Sequence, residues 1–220
     1  MRDKPVLMMG MHHSGTSLLA TVMRLGGVWM VVDRTHHECS MFTIELHDRI
    51  GMNGKWYKDP IMTVDEVMAR KDAFNTFLDQ RLPPWFEKHG YDDERRWGFK
   101  DARPCVLLPL YRERFPKATV VHIVREPDAV ADSLSRKNKE GFGRVCDKDF
   151  WKRLRKQYVE RARSVGSTFL GGYHEINYEH LCLTPHVAVE QLFSGIEGVE
   201  MTPELSDLLN ERVYQRRVFV

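Results

Sequence analysis

Residues Ala118–Val124, ATVVHIV, are almost continuously apolar and β-branched. A strand of that kind has no face suited to water, so it must be covered on both sides. Shorter strand-like runs stand at Val6–Met9, Val28–Val32, Trp97–Lys100 and within YHEINYEHL from Tyr173. Between and after them lie stretches of helical spacing: Thr16–Leu25, Met41–Ile50, Val64–Leu82, Pro104 to about Arg114, Pro127 to about Arg136, Asp149–Ser164, His186–Phe193 and Pro203–Glu211. Gly26-Gly27 stops the first helix and Pro83-Pro84 breaks the third. Pro104 and Pro127 suit the first helical turn, where a missing N–H costs nothing. Strands alternating with helices predict a three-layer α/β fold: a central, mainly parallel sheet of about five strands, flanked by helices.

In such a sheet, ligands sit at the carboxyl ends of the strands. Three polar segments fall just past a strand end: GMHHSGTS from Gly10, KDAR from Lys100, and REPDAVADS from Arg125. The formal net charge is only +2, so an anion site must be local rather than a general polyanion surface. The four cysteines are scattered with no C-x-x-C pair, which suits a reduced compartment. The N-terminal segment shows no long apolar h-region, and no apolar run approaches the roughly 18 residues of a membrane span. The expectation is a cytoplasmic chain forming one domain over residues 1–220.

The segment VLMMGMHHSGTSLLATVM, Val6–Met23, runs from a strand through a short turn into a helix. Against the Walker-A pattern G-x-x-x-x-G-K-[ST], Gly10, Gly15 and Ser17 fall in place, but Thr16 stands where the lysine would be. Unpaired N–H groups at a helix N-terminus make an anion site, and Ser14, Thr16 and Ser17 add hydroxyl donors. The alternative is a tight strand-to-helix turn with ordinary Ser/Thr capping. A nucleotide kinase also needs an acid at the end of an apolar strand to hold Mg²⁺, whereas ATVVHIV ends in Arg125. A cation there repels Mg²⁺ and attracts phosphate. Ser133 lies two turns into the following helix, placed to join Arg125 around an anion. The competing reading pairs Arg125 with Glu126 or Asp128.

Taken together these segments resemble the PAPS-dependent sulfotransferases, which use 3′-phosphoadenosine 5′-phosphosulfate. HHSGTSLL resembles the family's 5′-phosphosulfate loop, [KR]-S-G-T-[ST]. VVHIVREPDAVADSLSR resembles its 3′-phosphate motif, an apolar strand, R-[DEN]-P and a serine eight residues after the arginine. WGFKDARP resembles W-x-x-K-D-P-R, with Ala102 in place of proline, and EINYEHLCLTP resembles a late YE-[DH]-L…P stretch. The resemblance implies a P-loop NTPase-like fold and metal-independent sulfuryl transfer to a hydroxyl or amine, leaving 3′,5′-ADP. It assigns donor binding to His13, Ser14, Gly15, Thr16, Ser17, Arg125 and Ser133. Two departures stand out. His13 replaces the loop's lysine or arginine, and an ordinary imidazole is mostly neutral at pH 7. The G-x-x-G-x-x-K segment of many eukaryotic members is missing, with Arg216, Arg217, Arg136 or Lys137 as stand-ins.

Sulfuryl transfer calls for cations around the developing charge and a base for the acceptor proton. The resemblance points to Glu38 as that base, with His37 and Asp101 behind it. Lys100 and Arg103 would neutralise the bridging oxygen or orient the acceptor, and His13 would donate to the leaving phosphate. Glu38 has an alternative role as a charge on a first helical turn, and Lys100 or Arg103 one as an ion-pair partner of Asp101. His12, His13, His47 and the THHEC segment fit no standard zinc spacing, so no metal is expected. The basic helix Phe150–Ser164 has apolar residues at core spacing, which argues for a solvated amphipathic helix rather than a nucleic-acid surface. A P-loop kinase and a catalytically degenerate nucleotide-binding protein of the same fold stay open. The acceptor, a small molecule or glycan, is assigned to a helical insertion at about residues 51–94 and to Lys137–Asp149. Trp56, Tyr57, Trp85 and Phe142 are candidate lining residues, each equally suited to a core.

Overall fold

The structure, a computed structural model, describes residues 2–32, 41–51, 58–138 and 146–211. In chain order it places β1 (Val6–Met9), α1 (Thr16–Leu25), α2 (Met41–Arg49), α3 (Val64–Met68), α4 (Lys71–Lys88), β2 (Gly98–Lys100) and α5 (Pro104–Arg114). There follow β3 (Thr119–Val124), α6 (Pro127–Asn138), α7 (Lys148–Gly166), β4 (Tyr173–Asn177), α8 (Tyr178–Leu183), α9 (Pro185–Phe193) and α10 (Pro203–Glu211).

The sheet has four strands in the order β2-β1-β3-β4, and every pairing is parallel. All six residues of β3 are buried, as its composition requires. Side chains alternate across the sheet. Leu7, Met9 and Val120 join the core under α4, α5 and α7, while Val6, Met8, Val121 and Ile123 join the one under α1, α8 and α9. Each of these side chains, fully shielded, contributes about 1.5–3 kcal/mol.

The expected strand at Val28–Val32 is reduced to one bridge, Trp29 to Trp97. Trp29 N–H donates to Arg96 O at 2.7 Å and Gly98 N–H to Trp29 O at 2.9 Å, so the segment lies beyond β2 without extending along it. Side-chain packing anchors it instead. The Trp29 ring meets Tyr91 at 4.8 Å and Trp85 edge-on at 5.5 Å between centroids, while Val32 is exposed. The helix expected over Val64–Leu82 divides into α3 and α4, and α4 runs on through Pro83 and Pro84. Those prolines leave the carbonyls of Asp79 and Gln80 without helical donors. Both residues lie on the exposed face of the helix, while Leu82 and Phe86 are buried on the other.

Buried Arg96 ties the amino ends of three strands together. It donates to Lys4 O at 3.0 Å, Pro5 O at 3.3 Å and Thr119 Oγ1 at 2.9 Å. Among the described residues no helix is long and apolar enough to cross a membrane.

Candidate functional site

Because the strands are parallel, the carboxyl ends of β1, β2 and β3 open on one edge. The turn Gly10–Gly15 leaves β1 there and enters α1. Two glycines make the turn possible. A Cβ on Gly10 would stand 2.5 Å from Ile123 O, so the loop can lie against β3 only without one. Gly15, the α1 N-cap, has φ of 97°, and a Cβ on it would stand 2.3 Å from the Tyr178 ring. The first turn of α1 holds no acidic residue, so its unpaired N–H groups and positive dipole end are not neutralised from within the helix.

His13 also has positive φ, 66°, which turns its side chain away from the strand direction. Its Nδ1 lies 2.8 Å from Ser133 Oγ on α6. Arg125, one residue past β3, donates from Nη1 to His13 O at 3.1 Å. Its guanidinium lies 4.5 Å from the centre of the Tyr178 ring, and its buried Nε has no hydrogen-bond partner among the described residues. Loop, Arg125 and Ser133 therefore meet, as the sequence spacing predicts. Ser14 is buried, and its N–H closes the turn onto Met11 O at 3.0 Å. Thr16 and Ser17 lie half-buried in the first turn of α1. Lys100, at the end of β2, donates from Nζ to Ser17 Oγ at 3.3 Å and so reaches the same loop.

Beside it lies a second group. Asp101 is 3% exposed, and its N–H donates to Met8 O at 3.0 Å, which sets the β2 end against β1. Arg103 Nε lies 2.9 Å from both Asp101 oxygens, and the Arg103 N–H caps Oδ1 at 3.1 Å. Buried His47, from α2, puts Nδ1 3.4 Å from Asp101 Oδ2. Burial pushes His47 down to about 3 and half-buried His12 down to about 4, so both are neutral at pH 7 despite the pull of Asp101. Burial alone would raise Asp101, but the charge and hydrogen bonds of Arg103 outweigh it and keep the carboxyl ionised, the neutral His47 adding no charge. Asp101 and Arg103 thus form the ion pair that the sequence reading kept as an alternative. Glu38 and His37 lie outside the described residues, as do Trp56, Tyr57, Phe142, Arg216 and Arg217. Among the described residues no group of three potential ligands is placed to hold a metal ion.

Sequence reasoning overlooked Tyr178 and Arg155. Tyr178 wedges between Gly15 and Arg125, although the NYEHL stretch was singled out only for its pattern. Arg155 of α7 donates from Nε to Arg125 O at 2.7 Å, and Arg161 reaches Met62 O at 2.9 Å. The core face of α7 is as expected, with Trp151, Leu154, Tyr158 and Ala162 buried. These two arginines flank that face and turn their heads to backbone carbonyls, which charge alone does not reveal.

The sequence model of the sulfotransferase family matches residues 5–202. Among curated proteins no sequence matches. The sulfotransferase domain from the curacin biosynthetic pathway superposes with a TM-score of 0.61 at 16% identity, over 92% of this chain and 76% of that one. The sulfotransferase domain of the Synechococcus PCC 7002 olefin synthase gives 0.59 at 17%, over 92% and 75%. Sulfotransferase STF1 from Mycobacterium tuberculosis H37Rv gives 0.52 at 13%, over 94% and 71%. At these identities the structures speak for the fold, which is P-loop-like. With a family match spanning nearly the whole sequence, the chain belongs to the sulfotransferase family.

Proposed function

We propose that the protein transfers the sulfuryl group of 3′-phosphoadenosine 5′-phosphosulfate to a hydroxyl or amine of a small-molecule or glycan acceptor, without a metal. The observation that carries this reading is the meeting of two anion stations at His13. Its imidazole touches Ser133 and its carbonyl accepts from Arg125. A donor charged at both its 5′ and 3′ ends matches that pairing. The glycine-lined turn, the uncompensated start of α1 and the unpartnered Arg125 Nε suit it as well.

In this reading the N–H groups of Gly15, Thr16 and Ser17, with the hydroxyls of Ser14, Thr16 and Ser17, hold the 5′-phosphosulfate. Arg125 and Ser133 hold the 3′-phosphate. The donor supplies an activated sulfuryl group whose transfer leaves negative charge on the departing phosphate. Lys100, already at Ser17, neutralises that charge, and His13 donates to the same phosphate as imidazolium. Asp101 orients Arg103 toward the acceptor side. Glu38 takes the acceptor proton, and helices α3 and α4 belong to an acceptor-side insertion of a single domain. Arg125 at the end of β3, where a kinase needs a metal-binding acid, favours this reading over a P-loop kinase.

The test is thermal stability with 3′,5′-ADP, with 5′-ADP, and with ATP plus Mg²⁺. A ligand at about 100 times its dissociation constant adds about 2.7 kcal/mol. Stabilisation by 3′,5′-ADP without metal is expected. Stabilisation by ATP with Mg²⁺ instead would overturn the reading in favour of a kinase.

A further inference from the structure

The donor reading needs the Arg125 guanidinium held in register with Ser133. Two groups restrain the Arg125 side chain: the Tyr178 ring and the carbonyl of His13. Its main chain leaves β3 in a turn to Pro127, where α6 begins. Glu179 Oε1 fixes the N–H side of the next peptide unit, 3.1 Å from Glu126 N, and the helix, whose first acceptor is Glu126 O, does not fix its carbonyl side. Arg155 does so from across the core, with Nε 2.7 Å from Arg125 O.

The surroundings of Arg155 are unusual for a half-buried arginine. Among the described residues no carboxylate forms a contact ion pair with it. Desolvation lowers its pKa, Glu126, Glu179 and Glu175 attract it from farther off, and Arg163 repels it. Its closest partner is a neutral carbonyl, at the very residue whose side chain points into the anion site. Its contact is therefore a directed hydrogen bond rather than an ion pair.

We infer that Arg155 is a positioning residue for the 3′-phosphate end of the site: by clamping the Arg125 carbonyl it aims the Arg125 guanidinium at the phosphate that Ser133 shares. This rests on the donor reading above and supplies, from helix α7, a support that the sequence left unassigned.

The experiment is calorimetric titration of the full chain with 3′,5′-ADP and with 5′-AMP, which differ only in the 3′-phosphate. The readout is the ratio of the two dissociation constants, which a general loss of structure leaves unchanged. Arg155→Met is expected to shrink the wild-type ratio about tenfold while 5′-AMP binds within about twofold of wild type. Arg155→Lys, which keeps a donor and the charge, is expected to retain the ratio within about threefold. If the methionine variant does not fold, Arg155→Gln takes its place and is expected to shrink the ratio in the same direction. An unchanged ratio in the neutral variants, or equal weakening of both nucleotides, overturns the role of Arg155. A wild-type protein indifferent to the 3′-phosphate overturns the donor reading itself, and this inference with it.

Discussion

His47 makes the candidate site sensitive to acid, and the size of the effect follows from its burial. The side chain is fully buried on α2, 3.4 Å from Asp101, and its pKa is pushed from the ordinary 6.5 down to about 3. In the unfolded chain the same imidazole binds a proton as the pH drops below 6.5, while in the fold it does not. The folded value is the depressed one, so this contribution to stability is fully present above pH 6.5 and is lost as the pH falls toward 3. One such group costs about 1.4 kcal/mol per pH unit within that window, or about 2 kcal/mol at pH 5. Against a typical total of about 5–15 kcal/mol, that is a large fraction. Urea unfolding of wild type and His47→Gln, measured from pH 7.5 to pH 5, isolates it. His12 and His122 are shifted in the same direction and add to the slope of both proteins, so they cancel in the difference. The wild-type slope is expected to exceed the variant slope by about 1.4 kcal/mol per pH unit below 6.5. Equal slopes would refute the argument that His47 is held neutral by the fold.

Gly15→Ala should cost about 2–5 kcal/mol in chemical unfolding, because it adds left-handed backbone strain to a collision with Tyr178. Ser133→Ala should weaken 3′,5′-ADP about 5–30-fold in titration while leaving 5′-AMP nearly unchanged. Lys100→Met should lower kcat about 10²–10³-fold in a sulfuryl-transfer assay with little change in melting temperature. Donor binding by the wild type should weaken as pH rises from 6 to 9, since imidazolium is lost, and His13→Lys should bind with the same affinity throughout.

The layered fold was legible because its signals are local. Gly10 and Gly26 bracket the first strand and helix, Pro104 and Pro127 open two others, and β3 is apolar on both faces. The strand expected at Val28–Val32 failed for a tertiary reason: Trp29 packs into an aromatic cluster on one side while Val28 and Met30 pack into the core on the other, with a single bridge to the sheet. Pro83 and Pro84 read as a helix break, yet α4 continues through them, because Asp79 and Gln80, which lose their helical donors, lie on its exposed face. At the candidate anion site, Arg125, Ser133 and the loop could be grouped because their spacings from strand ends are fixed. Tyr178 and Arg155 could not, since each reaches Arg125 across the fold. At the end of β2, the sequence leaves Asp101 open between a chemical and a structural role. Its burial against Arg103 and His47 shows that it at least anchors the β2 end.

A parallel sheet has a front and a back. The candidate chemistry gathers where the strands finish, and the Arg96 clamp across Lys4, Pro5 and Thr119 marks the opposite rim, where they start. That polarity makes the back rim a safe handle. Lys117, exposed just ahead of β3, belongs to it. A fluorophore or surface tether attached at Lys117→Cys would be separated from the His13 turn by the length of β3. It would report on the whole molecule while leaving the mouth of the candidate site open.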